Sequence, residues 1–143
     1  MASHMNTSIE EFIAGQPSER QPLFHQIHKI ISTNDTTVVP VIEPMMGIPM
    51  IIYKDRGMMK YGLAGVKNHM SLHLLPIYAN PTLHARYKAL LKKANFQKGC
   101  INFTDEEAMP LDIVRALITD CSTIDLVKIR AEYLASKKTK KAK

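Results

Sequence analysis

The chain has no tryptophan, two cysteines and few aromatic residues of any kind (6%). Two cysteines, Cys100 and Cys121, are too few for a disulfide framework or a four-cysteine zinc site. No apolar run approaches the ~20 residues of a membrane-spanning helix, and the opening residues carry no signal-peptide pattern. A phosphate-cradling or dinucleotide-binding glycine loop is missing, as is a Gly-x-Ser-x-Gly elbow. Neither cysteine sits in a motif that activates a thiol. These absences predict a cytoplasmic protein, non-enzymatic, without cofactor or membrane segment.

What is present supports a core. The 143 residues are 45% apolar and 22% charged, enough for one domain. Met1-Ala2-Ser3-His4-Met5 has the look of a vector-derived scar. Residues 6–136 read as a single domain. Residues 137–143, with lysines at 137, 138, 140, 141 and 143, read as a disordered tail with nothing apolar to bury.

That tail carries five of the six net positive charges, so the rest of the chain is nearly balanced. Its charges are nonetheless segregated. Between Arg56 and Thr104 stand eight bases and no acid: Arg56, Lys60, Lys67, Arg86, Lys88, Lys92, Lys93 and Lys98. Such a basic pole suits an anionic ligand, an acidic partner or nucleic acid, or is merely a solvated surface.

Periodicity places the elements. Ser8 is an N-cap for a short helix through Phe12 and Ile13, with Glu10 and Glu11 in its first turn. Leu23, Phe24, Ile27, Ile30 and Ile31 form one stripe of a second helix. β-Branched and apolar runs predict strands at Val38–Ile42, Pro49–Tyr53, Met58–Val66, Asn68–Leu75 and Lys98–Phe103, the first held to an edge by Pro40 and Pro44. Lys54-Asp55-Arg56-Gly57 is a hairpin turn. Asn80-Pro81 starts a helix carrying Leu83, Tyr87, Leu90 and Leu91, and Pro110 opens another through Ile113 to Ile118. Ser122 with Asp125 resembles a capping box for a last helix that turns Ile124, Val127, Ala131 and Leu134 inward. The prediction is an α+β fold: an antiparallel sheet of about five strands with helices on one face.

Three segments carry a resemblance. Met46-Gly47-Ile48-Pro49, then Lys67-Asn68-His69 with Pro76 downstream, then Lys98-Gly99-Cys100-Ile101-Asn102-Phe103 followed by Asp105-Glu106-Glu107 and Pro110-Leu111, resemble the YdhG-like family over roughly residues 8–135. The resemblance implies a frataxin-like fold. Some members of that family are regarded as iron chaperones, which makes iron or another metal a possible cargo.

Alternation along strands puts residues two apart on one face. Lys67, His69, Ser71 and His73 then share a face opposite Met70, Leu72 and Leu74. Lys98, Cys100 and Asn102 share one opposite Ile101 and Phe103, and Lys60 joins them from the preceding strand. With helices over the apolar side, these eight polar residues line a bare sheet surface. Lysines would supply charge to a small anionic ligand or acidic protein partner, and His69, His73 and Asn102 hydrogen bonds. The surface could equally be solvated or buried in a homodimer, the chain otherwise being a monomer. A zinc or copper ion held by His69, His73 and Cys100 is not expected, since two histidines four apart on a strand lie ~13 Å apart. His25 and His28 have a metal-compatible helical spacing but no evident third ligand. Cys121 falls on an apolar helical stripe and reads as core. The methionines, Met45, Met46, Met50, Met58 and Met59 among them, read as core filler or as the lining of an adaptable groove beside Pro49.

Overall fold

A computed structural model describes residues 8–97 and 99–142, with side chains through residue 137. The expected vector-derived residues 1–5 lie outside the described residues. Six strands, β1 (Val39–Met45), β2 (Ile48–Asp55), β3 (Met58–Gly65), β4 (Met70–Leu74), β5 (Asn95–Gln97) and β6 (Cys100–Phe103), form one sheet in the order β1-β2-β3-β4-β6-β5. Every pairing is antiparallel. The sixth strand, against about five expected, is β5, whose three residues are too few to show periodicity. The helices are α1 (Ile9–Ala14), α2 (Gln21–Asn34), α3 (Leu75–Ala79), α4 (Pro81–Leu90), α5 (Leu111–Ser122) and α6 (Leu126–Ala142).

Local chemistry explains most of these ends. Ser8 and Glu11 form a reciprocal capping box on α1, and the Asn80 carboxamide accepts from Leu83 N on α4. The β1–β2 and β2–β3 hairpins close on two-residue loops, Met46-Gly47 and Arg56-Gly57, with all four residues at positive φ. That matches the primed turn whose twist suits paired strands. Pro40 and Pro44 lie on β1, at the sheet's edge, where a missing donor is tolerated.

The helices bury one face of the sheet. Phe12, Ile13, Phe24, Ile27, Ile31, Leu117 and Ile118 from the helices meet Ile51, Tyr53, Tyr61, Leu63, Leu72, Leu74, Ile101 and Phe103 from the strands in one core. Cys121 is fully buried there, as its stripe predicts. Several helical expectations need correction. Leu90 is exposed, leaving Leu83, Tyr87 and Leu91 as the buried stripe. Ser122 does not cap α6: its hydroxyl donates to Thr119 O at the end of α5, and Asp125 accepts from Lys128 N instead. Past Val127, α6 leaves the body, so Ala131 and Leu134 face solvent. The helix continues to Ala142, so the backbone of most of the lysine-rich segment is helical; its side chains beyond residue 137 lie outside the description.

One helix–sheet contact makes a testable pH effect. His28 Nδ1 and the Tyr53 hydroxyl are hydrogen-bonded at 2.8 Å. Burial, reinforced by the neighbouring His25 and opposed by Glu10, holds His28 below the ordinary histidine value of 6.5. The folded state therefore binds fewer protons than the unfolded chain below that value, and stability falls as pH drops through it. Urea midpoints should decline between pH 7.5 and 5.5, and His28→Gln should flatten that decline. A slope unchanged in His28→Gln would assign the effect elsewhere.

Candidate functional site

On the other face of the sheet, Leu75 and Tyr78 of α3 flank Met59, His73 and Cys100 at one end. Following the paired partners across it, one row reads Val41, Ile52, Gly62, His73, Cys100 and Gln97. The next brings Ala64 beside Ser71, Asn102 and Asn95. The row pattern divides the face. Met50, Ile52 and Ala64, with Val41, Met45 and Met59 against them, make a small apolar cluster over β1–β3. Ser71, His73, Cys100, Asn102, Asn95 and Gln97 make a polar strip over β4–β6–β5. Between the two runs a groove of about 510 Å³.

Leu74 N donates to Gly99 O at 2.7 Å, so Leu74 and Gly99 are a hydrogen-bonded pair. Alternation makes His73–Cys100 and Ser71–Asn102 non-hydrogen-bonded pairs, whose side chains stand closest. The Ser71 hydroxyl accordingly donates to Asn102 Oδ1 at 2.6 Å. The same oxygen takes the Cys100 thiol at 3.3 Å, and Asn102 Nδ2 donates to Gln97 Oε1 at 3.1 Å. Burial pushes the Cys100 thiol above its ordinary value, with Ser71 opposing, which keeps it protonated at neutral pH. Burial lowers His73, so its imidazole is neutral there.

Of the expected site residues, Ser71, His73, Cys100 and Asn102 are brought together, and His69 joins the groove from its end. Three lysines are not. Lys60 is the extra residue of a bulge: Tyr53 pairs with Tyr61 and Lys54 with Met59, leaving Lys60 unpaired. A bulge turns both of its residues toward one side, and Lys60 points into the helical core. There its ammonium lies 2.8 Å from Asp35 Oδ2 with its side chain 1% exposed. Lys67 belongs to the exposed β3–β4 turn, not to a strand. Lys98 lies outside the described residues.

Half of the basic pole is neutralised. Besides Lys60, Arg56 pairs with Asp55 and Asp125, Arg86 with Asp120, and Lys93, at the groove rim, with Glu107. Acids distant in sequence meet the bases in space.

Sequence reasoning missed three contributors. Asn95 and Gln97 lie on the strand too short to recognise. Arg20 supports the site from behind: its guanidinium donates to the carbonyls of Val66, Lys67 and His69 at 2.7, 3.3 and 3.3 Å, fixing the turn that carries His69. No local signal announces it. Met45, Met46 and Met50 do line the groove, one of the two roles open to them. Among the described residues no three His, Cys, Asp or Glu side chains gather as metal ligands, and no helix is long and apolar enough to cross a membrane. Comparisons of the chain with family models, with curated proteins and with solved structures find no match.

Proposed function

We propose that the chain is a non-enzymatic binding module that works through this groove and takes a small ligand, apolar along one edge and hydrogen-bonding along the other. One observation carries the reading: an apolar wall and a strip of donors and acceptors face each other across the open part of the sheet, the usual make-up of a small-ligand site. Asn102 and Gln97 offer amide groups, Ser71 a hydroxyl and His73 a neutral imidazole. With Lys60 withdrawn to the core and Lys93 ion-paired, hydrogen bonds rather than charge do most of the recognition, so an anionic ligand is favoured less than a polar neutral one. Lys67, at the His69 end, remains free to meet a carboxylate.

The other readings draw less support. Iron chaperoning, implied by the resemblance to the YdhG-like family, calls for clustered carboxylates. The opening helices offer Glu10, Glu11 and Glu19, and Glu11 is already engaged with the Ser8 backbone. Nucleic-acid binding would rest on Lys67, Lys88, Lys92 and the end of α6, since the other four described bases of the pole are ion-paired.

Titrating amide and carboxylic-acid fragments into labelled protein should shift the backbone signals of Ser71, His73 and Asn102 together with the Met50 methyl. Ser71→Ala with Asn102→Ala should weaken the best fragment about tenfold, from hydrogen bonds of about 0.5–1.5 kcal/mol each. Shifts clustered on α6 or on the helical face would refute the reading.

A further inference from the structure

We propose that the groove takes a medium-chain acyl amide, with its neutral head on the polar strip and a straight tail that passes His73 and Cys100 into a second hollow against Tyr78. This rests on the groove reading and adds to it the shape and chemical class of the ligand.

The second hollow, of about 420 Å³, adjoins the first. Met45, His73, Gln97 and Cys100 line both, so the two meet where His73 and Cys100 stand opposite each other on β4 and β6. Past that neck the walls are the side chains of Met59, Leu75 and Tyr78 and the backbone of Gly99. They bring no charged side chain, carboxamide or imidazole. Ser71 and Asn102 line the first hollow and not the second. The cavity therefore changes from hydrogen-bonding to apolar along the strands as well as across them. From Asn102 back to Gly99 the chain advances about 10 Å at the rise of a strand, roughly the reach of an eight-carbon chain.

Tyr78 is held in place as a wall. Its Cβ lies 2.9 Å and its Cδ2 3.5 Å from where Gly99 would carry a Cβ, an approach that a side chain at that position would block. Tyr78 nonetheless stays 64% exposed. Met46 and Ile48, also exposed, line the first hollow. Exposed apolar side chains gathered along a cavity mark a surface that something covers.

The hydrogen bonds already made at the head end decide what it can take. Asn102 Oδ1 accepts from both Ser71 and Cys100, and Asn102 Nδ2 donates one N–H to Gln97 Oε1. The other N–H of Asn102 and both of Gln97 Nε2 have no partner among the described residues, and the Ser71 oxygen keeps its lone pairs. Donors for a carbonyl thus stand beside an acceptor for an N–H, the complement of a carboxamide. A carboxylate is served less well, because Lys93, the one lysine among the described residues lining the groove, is paired with Glu107.

The test uses the full chain with labelled backbone, methionine methyls and tyrosine rings, and primary amides of increasing length as probes. Octanamide should shift Ser71 and Asn102 together with the Met59 methyl and the Tyr78 ring. It should bind about tenfold more tightly than butanamide or better, since a fully buried methylene adds up to about fourfold. Octanoate should bind more weakly than octanamide. Tyr78→Ala, a change at an exposed position that the fold tolerates, should cut the gain from butanamide to octanamide to about threefold or less. Equal affinities for the two amides, or an octanoate that binds more tightly, overturn the inference, while shifts at Ser71 and Asn102 leave the groove reading standing. A chain-length gain kept in full by Tyr78→Ala, with Met59 unmoved, places the tail elsewhere and overturns it as well. Ser71 and Asn102 unmoved by every amide sink the groove reading and this inference together.

Discussion

Lys60→Met should destabilise the fold by about 3–5 kcal/mol, the usual effect of removing one partner from a buried ion pair. Both side chains are enclosed, Lys60 at 1% and Asp35 at 0% exposure. Asp35 is held by more than the ammonium. The Tyr61 hydroxyl donates to its Oδ2 at 2.6 Å, and Thr37 donates to Oδ1 through its hydroxyl at 2.5 Å and its backbone N–H at 3.1 Å. Burial alone would raise the Asp35 pKa, but these hydrogen bonds, led by that of Lys60, outweigh it and hold the carboxyl below its ordinary value. Without Lys60 the carboxylate keeps its neutral donors and loses its counter-charge in a dry site. The double variant Lys60→Met with Asp35→Asn removes both charges, keeps an oxygen for Thr37, and sets its amide to donate to the Tyr61 hydroxyl. It should recover most of the loss. Urea unfolding at neutral pH measures both, and a Lys60→Met protein within about 1 kcal/mol of the parent contradicts the prediction. The acid behaviour follows from the same sign. A carboxyl lowered in the folded state stabilises above its unfolded pKa, and that contribution is lost as pH falls through the folded one. Parent and Lys60→Met should therefore converge in strong acid.

The same bulge marks the boundary of what the sequence made legible. On β4 and β6 simple alternation assigns faces correctly, with Leu72, Leu74, Ile101 and Phe103 in the core and Ser71, His73, Cys100 and Asn102 on the bare side. Those strands are regular, so a period of two holds along them. On β3 the alternation fails at one residue. Met58-Met59-Lys60-Tyr61 has no glycine or proline to announce an irregularity, and the bulge is seen only against the Tyr53/Lys54 step of β2. Its effect is to put Lys60 among the helices while Met59 stays on the groove side. Charge pairing is similarly hidden along the chain: Arg56 meets Asp125 from 69 positions away, a neighbour that no local window contains. The five-residue α3 and three-residue β5 are too short for any period to show. On α6 the apolar spacing is present, but the body ends before Ala131 and Leu134 can be covered.

Phe24→Ala should remove about 3–5 kcal/mol, typical of a deleted core phenylalanine, out of the roughly 5–15 kcal/mol that stabilises a domain. The ring is fully buried and stands edge-on to Phe12, centroids 6.1 Å apart at 84°, a favoured aromatic geometry. Its tip, Cζ, lies 3.3 Å from the place where Gly65 would carry a Cβ, so the glycine lets the ring slide beneath the end of β3. One turn earlier on the same side of the chain, Arg20 grips the carbonyls of the β3–β4 turn. Phe24 and Arg20 together tie α1, α2 and that turn into one unit, and His69 rides on it. Loss of the ring should lower the urea midpoint with an unchanged slope, since the fold survives with a cavity. It should also speed hydrogen exchange at Val66, whose N–H is bonded to His69 O at 2.9 Å, more than at Leu72 in the sheet centre. Phe24→Leu, which refills most of the volume, should show a much smaller fraction of both effects. Equal losses in the two variants would mean that contact with Phe12, and not the space under Gly65, is what the ring contributes.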